Sequence, residues 1–550
     1  MSVLLMRILM RRHWVLAFSL ANLCFFSAWR EVLSPEGLSY LYYWKQNPFY
    51  AALAALVINV LLLAVVFVAG FYLVNRWGGK HGLKLGQLLF LLVFLRAVNN
   101  IRAQFDNLST THLRALIGRA GYIAAFALGL SLIALAIKRY GIGRMARGAA
   151  LIVLVLSPFG VVGLAQVTWL ALKYGRSISH EQTSAPLLSS DKTKPRVVWI
   201  IFDELDEHLA FAARPASLSL PEFDRLRAEG LFATNAFPPA GRTSQSIPAL
   251  LTGQLISAVR PVDPGELLLT LPGRTEPVGW SATADVFSDA RALGFNTALV
   301  GWYHPYCRVI GSRLTGCDWG AATQRLDTTK LSLKKNLIRQ EADLLRLLPF
   351  TADLRRRLSP SRTRDYRAEQ LADYVGLLRP AEDAAVNQEF GLLFIHLPVP
   401  HPPYIYDRGP RILTTTAESS YLDNLALADQ ALGALRQKME QTGTWDSTSV
   451  VVSSDHWWRS DYWRAQGIFW TAADQALQGE RLDHRVPFML RLPGQKTTLN
   501  YEAHFNTVLT HDLILEILKG KISDASQAAA WLDAHRTIGE SPYQSYEDSE

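Results

Sequence analysis

The fold class this sequence predicts is an α/β domain on a mostly parallel sheet with helices on both faces, preceded by a domain of five transmembrane helices. Three observations predict it. Long apolar runs fill residues 1–173, short β-branched runs alternate with helical patterns beyond residue 195, and Asp, Glu and His recur just past those runs. The charge divides at the same place. Of 550 residues, the first 172 hold 16 Lys or Arg against three acids (Glu31, Glu36, Asp106), a net +13, while the remainder carries −5. A net charge of +8 would ordinarily raise nucleic acid as a partner. The basic excess lies between apolar runs, however, with no basic stripe elsewhere, so nucleic acid is set aside. Aromatics at 11%, with no repeat or low-complexity tract, set aside disorder as well.

A helix needs about 20 mostly apolar residues to cross a bilayer, and five runs come close: 13–29, 49–75, 83–98, 117–137 and 148–172. The third is the weakest, with Lys84 and Arg96 near its ends, and a re-entrant segment is its alternative reading. Arg7, Arg11 and Arg12 precede the first run, but no small-residue cleavage site follows, so it reads as a span and not a signal peptide. The N-terminus and the second and fourth loops hold ten Lys or Arg, against five in the first and third loops. The N-terminus is therefore expected in the cytoplasm, and five crossings put everything after residue 173 outside it, in the periplasm of a cell with an inner membrane. Tyr40, Tyr42, Tyr43, Trp44, Phe49 and Tyr50 form an aromatic belt in the first external loop. That loop and residues 99–116 serve as anchors or touch a lipid substrate.

Residues 174–195 are rich in Ser and Thr and read as a linker to a domain over 196–550. Strands are expected at 197–202, 296–302, 391–397, 449–454 and 486–491, and helices at 221–229, 282–293, 421–440 and 507–519. Nearly continuous apolar strands separated by helices indicate a parallel sheet covered on both sides. Cys24 is an apolar residue of the first span. Cys307 and Cys317, ten apart in the exported part, suit a local disulfide, with metal binding as the alternative.

Polar residues mark the strand ends: Asp203-Glu204, Tyr303-His304, His396 with His401 beyond it, and Asp455-His456. Ligands of open α/β sheets bind outside the carboxyl ends of the strands, so these groups are expected to converge. One Asp after a strand usually caps a turn. Four strands ending alike assemble carboxylate oxygens and imidazole nitrogens, the donors a divalent cation takes. The loop GRTSQSIPALLTG (241–253) supplies hydroxyls at Thr243, Ser244 and Ser246, with Arg242 beside them to bind anionic oxygens. Pro248 reads as the first residue of a helix, which would set the hydroxyls at its N-terminus, an anion-binding position.

The ordered segments VVWIIFDELD, LPEFDRLRAEGLFATNAF, TSQSIPALLTG, LGFNTALVGWYH, HLPVPHPPY, VVSSDH and RVPFMLRLPG resemble the sulfatase branch of the alkaline phosphatase superfamily across most of 196–518. Thr243 stands where sulfatases carry the Cys or Ser that becomes formylglycine, with Gln245 and Ile247 at the Pro and Arg positions. A threonine cannot yield formylglycine. With five spans ahead of it, the Thr variant resembles the membrane phosphoethanolamine and phosphoglycerol transferases, whose unmodified Thr attacks a lipid headgroup phosphate. The resemblance implies zinc or manganese on Asp203, Thr243, Asp455 and His456, with Glu204 binding a second ion or none. It implies that His396 and His401 contact the phosphate or protonate the leaving group, and that His304 binds substrate. The usual Lys before that His is here Trp302, and Trp457-Trp458 replaces the usual Gly after Asp-His. His484 is either a further substrate contact or a surface residue. A phospholipid donor and an envelope glycan or lipid acceptor follow from the resemblance. Hydrolysis of phosphate or sulfate esters, or a non-catalytic envelope role, stay open beside it.

Overall fold

The computed structural model describes residues 3–33, 40–43, 49–77, 79–103, 105, 110–179, 184–189, 191, 193–321, 332–345, 362–416, 418–467, 469–477 and 484–536. The chain forms two compact units. One comprises Met1–Leu38, Gln46–Arg176 and Asp327–Pro360; the other comprises Ser39–Lys45, Ser177–Leu326 and Ser361–Glu550. Both units draw on residues from either side of residue 174. Ser39–Lys45 leaves the helical half for the α/β unit, and a segment of the α/β half joins the helical unit.

In the helical unit, Tyr50–Val74, His81–Arg102, Ala120–Tyr140 and Ile142–Lys173 are long and apolar enough to cross a membrane, beside a shorter apolar helix at His13–Cys24. The expected first span, 13–29, is interrupted by a turn at Phe25 between the helices Val3–Cys24 and Phe26–Leu33. The weak third run forms one continuous helix, Gly79–Ala103, in place of a re-entrant break. Leu61, Leu62, Val65, Val66, Leu151 and Val155 are exposed, an apolar surface that water would not tolerate but lipid would. Several polar groups inside the unit are hydrogen-bonded. Ser19 donates to the Val153 carbonyl at 2.7 Å. Asn59 and Gln340 bond at 3.1 Å, tying the Leu333–Leu345 helix to Phe49–Trp77.

The α/β unit is organised by eight strands: β1 (Val197–Phe202), β2 (Leu231–Ala233), β3 (Thr297–Tyr303), β4 (Gly316–Ala321), β5 (Leu392–Leu397), β6 (Ser449–Ser454), β7 (Phe488–Arg491) and β8 (Leu499–Tyr501). Their order across the sheet is β8-β2-β7-β6-β1-β5-β3-β4. Every residue of β1, β3, β5 and β6 is buried, as a parallel sheet covered on both faces requires. The sheet departs from full parallelism only at β7, which runs antiparallel to β6 and β2. The helix expected at 282–293 begins at Val286, because Asp285 caps it by accepting from the Phe287 and Ser288 amides. Cys307 and Cys317 form a disulfide with Cα atoms 5.7 Å apart, joining the turn after β3 to β4.

Candidate active site

Register brings the site together. Parallel pairing aligns Phe202 of β1 with Ser454 of β6 and with Leu397 of β5, and aligns Gly301 of β3 with His396. The residues that follow, Asp203 and Asp455-His456, therefore leave the sheet at the same height. Two non-glycine residues there hold positive φ, Glu204 at 63° and Tyr303 at 82°. Such conformations cost about 1–3 kcal/mol and gather at functional sites.

Thr243 opens the helix Thr243–Thr252. Its hydroxyl donates to Asp203 Oδ2 at 3.2 Å and lies 3.2 Å from His456 Nε2. Pro248 is not the first helical residue but the sixth, so the helix starts a turn and a half earlier than its proline suggested. Thr243 itself occupies the N-terminus. Ser246 donates to the Asp455 carbonyl, locking this helix to the end of β6.

Asp203, Asp455 and His456 each offer a ligand atom within 4.8 Å of the others, and all three are fully buried. Asp203 Oδ1, Asp455 Oδ2 and His396 Nε2 are buried atoms with no hydrogen-bond partner among the described residues. Orphaned acceptors in one spot cost about 1–3 kcal/mol each unless something fills them. The imidazoles are turned to suit. His456 Nδ1 faces the Trp457 carbonyl at 2.9 Å, and a carbonyl only accepts, so Nδ1 carries the proton and Nε2 presents its lone pair. His396 does the same through the Trp302 carbonyl at 3.0 Å, with Nε2 3.4 Å from Asp203 Oδ2. This carbonyl–histidine arrangement is the one metal-binding histidines use. Burial pushes Asp203 up to about 7 against the opposing pull of Arg459, and pushes Asp455 up to about 7 with help from the Asp203 charge. Burial also holds His396 down to about 4 and His456 well below its ordinary value. Two desolvated carboxylates facing neutral imidazoles fit a divalent cation.

Glu204 does not join this cluster. Its buried carboxylate accepts from Arg459 Nε at 3.0 Å and Trp463 Nε1 at 2.9 Å, which turns it away from a second-ion role. Arg459 and Trp463 had no signal in the sequence, since their partner lies more than 250 positions earlier. His401 is 5% exposed, with Nδ1 on the Pro402 carbonyl and its ring edge-on to Trp302 and Trp463, both at 5.2 Å. Its backbone N–H donates to the Asp203 carbonyl at 3.0 Å. Trp302 thus fills the place of the expected Lys with an aromatic wall. His304 is fully buried, and its Nε2 lies 3.3 Å from the Thr243 carbonyl, underneath the Thr243–Thr252 helix instead of in an open substrate position. Arg242 is exposed at the helix cap and Ser244 is 8% exposed. His484 stacks on Trp457 at 4.1 Å, and a Cβ at Gly241 would meet the same indole at 2.7 Å, so Trp457 borders the Thr243 loop. Trp458 is core, stacked on Tyr421 at 4.5 Å.

A mostly parallel sheet with a hydroxyl, carboxylates and imidazoles at its carboxyl edge is laid out as a hydrolytic or group-transfer site. The sulfatase family model matches residues 195–533, and the chain belongs to that family. It is similar in structure to the PsFucS1 sulfatase from Pseudoalteromonas sp., at 17% identity and TM-score 0.40, over 64% of this chain and 70% of that one. It is also similar to the phosphonate monoester hydrolase of Agrobacterium radiobacter, at 15% identity and TM-score 0.37, over 59% of this chain and 74% of that one. No curated protein matches the chain in sequence.

Proposed function

We propose that the protein is a metal-dependent, membrane-anchored phosphotransferase that moves a phospho-headgroup of the phosphoethanolamine or phosphoglycerol type from a phospholipid to an envelope glycan or lipid. The observation that carries this reading is the Thr243 hydroxyl, unmodifiable to formylglycine, hydrogen-bonded to Asp203 and 3.2 Å from His456 Nε2 inside the orphaned-acceptor cluster. Asp203, Thr243, Asp455 and His456 would hold zinc or manganese. The bound ion would stabilise an alkoxide and neutralise phosphoryl charge.

The chain's own groups supply the rest. Asp203 Oδ2 already accepts the Thr243 proton, which aims the oxygen lone pairs. The Thr243 Oγ–P bond forms as the P–O bond to diacylglycerol breaks. The proton that Thr243 gives up passes to the departing oxygen by way of His401, whose Nδ1 is held on the Pro402 carbonyl so that Nε2 is the atom that takes up and hands on the proton. An acceptor hydroxyl then takes the phosphoryl group, and its proton returns to Thr243 Oγ by way of the same histidine. Arg242 and the helix N-terminus hold the remaining phosphate oxygens. An orientation with the α/β unit outside the cytoplasm would put the site on the same side of the membrane as an outer-leaflet lipid donor. A phosphatase fused after residue 180 is expected to be active outside the cytoplasm.

Membership of the sulfatase family favours a second reading, hydrolysis of phosphate or sulfate esters, in which water takes the group. Phosphatidylethanolamine and phosphatidylglycerol labelled in the headgroup, supplied to the purified chain with and without chelator, separate the two. Ion-dependent diacylglycerol release with label passed to a hydroxyl acceptor, lost in Thr243→Ala, is the expected result. Label recovered only as free headgroup phosphate points to the hydrolase. A metal-loaded protein that turns over neither ester class refutes both readings.

A further inference from the structure

Tyr42 lies outside the family-matching segment, in the loop between the helices Phe26–Leu33 and Phe49–Trp77, yet it belongs to the α/β unit. It is fully buried. Its hydroxyl is 3.0 Å from His304 Nδ1, and its carbonyl accepts from Arg308 Nη2 at 2.8 Å. Its neighbour Tyr43, 2% exposed, packs edge-on against Tyr303 at 5.2 Å. Trp280 closes another side of the His304 ring at 5.1 Å. An aromatic belt meant only for lipid headgroups would not bury a phenol in a hydrogen bond to an imidazole beneath the nucleophile.

Hydrogen-bond chemistry fixes the direction of the chain of contacts. The Thr243 carbonyl can only accept, so His304 Nε2 carries a proton. A neutral imidazole then has a lone pair on Nδ1, and that lone pair accepts from the Tyr42 hydroxyl. The far end of the relay is the carbonyl of the first residue of the Thr243–Thr252 helix.

We propose that Tyr42 is a positioning residue for Thr243: it holds His304 in the Nε2–H tautomer, and His304 holds the Thr243 backbone so that the hydroxyl points between Asp203 and His456. The α/β unit is accordingly incomplete without residues 39–45. The inference rests on the proposed function for the role of Thr243, but its first readout does not.

The test uses the full chain labelled with ¹⁵N-histidine, with the His304 signals identified by their loss in His304→Gln. The expected result is an Nε2–H pattern for His304 in the natural protein and a mixed or reversed pattern in Tyr42→Phe. Headgroup transfer in Tyr42→Phe is expected to fall in kcat by about ten- to a hundredfold, the range for sub-ångström to ångström misplacement of a reacting group, with KM and bound metal unchanged. His304→Gln keeps an N–H for the Thr243 carbonyl but needs nothing from Tyr42, so adding Tyr42→Phe to it is expected to have little further effect. An unchanged His304 pattern in Tyr42→Phe overturns the proposal, as does full additivity of the two losses. If the natural protein transfers no headgroup, the functional reading fails, and the tautomer pattern alone still decides the placement of Tyr42. If Tyr42→Phe does not fold, the His304 pattern of the natural protein decides: Nδ1–H there overturns the relay.

Discussion

Asp455→Asn is expected to stabilise the metal-free protein at alkaline pH while abolishing metal binding. The carboxylate is fully buried and rises from an ordinary 3.8 to about 7. An acid with a raised folded value is protonated in the folded state when the unfolded chain has already lost its proton. Stability is therefore full below about pH 4, falls as pH rises, and is lowest above pH 7. At about 1.4 kcal/mol per tenfold step, the loss approaches about 4 kcal/mol. Asparagine removes that charge without disturbing the contacts. Its carbonyl oxygen, in place of Oδ1, still accepts from the Glu204 amide at 3.2 Å and the His456 amide at 2.9 Å. Its amide nitrogen, in place of the orphaned Oδ2, faces the His456 Nε2 lone pair at 3.4 Å. Thermal unfolding of the chelated protein in detergent, followed by tryptophan fluorescence at pH 5 and pH 9, reads the outcome. At pH 9 the variant should unfold at the higher temperature, at pH 5 the gap should shrink to less than half, about 1.6 against about 4 kcal/mol, and added zinc or manganese should raise only the natural protein. A variant that is the less stable at both pH values, or a gap independent of pH, refutes the reasoning.

Metal loading should release protons below about pH 7 and few above it, because Asp203 and Asp455 are both held at about 7; calorimetry in buffers of different ionisation enthalpy measures the number. Glu204→Gln should leave metal stoichiometry unchanged, since its carboxylate serves Arg459 and Trp463. Arg459→Ala should destabilise the protein, more at pH 9 than at pH 6, because it removes the cation that opposes the burial pushing Glu204 up to about 8, measured by denaturant unfolding. Replacing Cys307 and Cys317 by Ser should cost about 3 kcal/mol, the value for a short closed loop, with metal binding retained by elemental analysis.

The convergence of Asp203, Asp455 and His456 was legible because it depends on strand ends alone, and parallel register does the rest. Three strands were not legible. β2 and β8 have three residues each, too few for a period, and β4 reads GCDWGA, with two glycines where β-branched residues would signal a strand. The direction of β7 was hidden because an apolar run carries no sign of its neighbour's orientation. Glu204 and His304 follow β1 and β3 as expected and face other partners in space. Each is claimed by a partner more than 250 positions away, Arg459 in one case and Tyr42 in the other. Pro248 marked the right helix but not its start, because the preceding turn, Thr243 to Ile247, has no residue whose propensity announces it.

The central claim is that the unmodified Thr243 hydroxyl is the nucleophile. Its most direct measurement is the mass of the Thr243 peptide after metal-loaded protein is quenched during turnover of the headgroup-labelled phospholipid. Label and added mass are expected on Thr243, absent from chelated protein and from Thr243→Ala. Continued turnover with Thr243 never carrying the group, or undiminished turnover by Thr243→Ala, would contradict it.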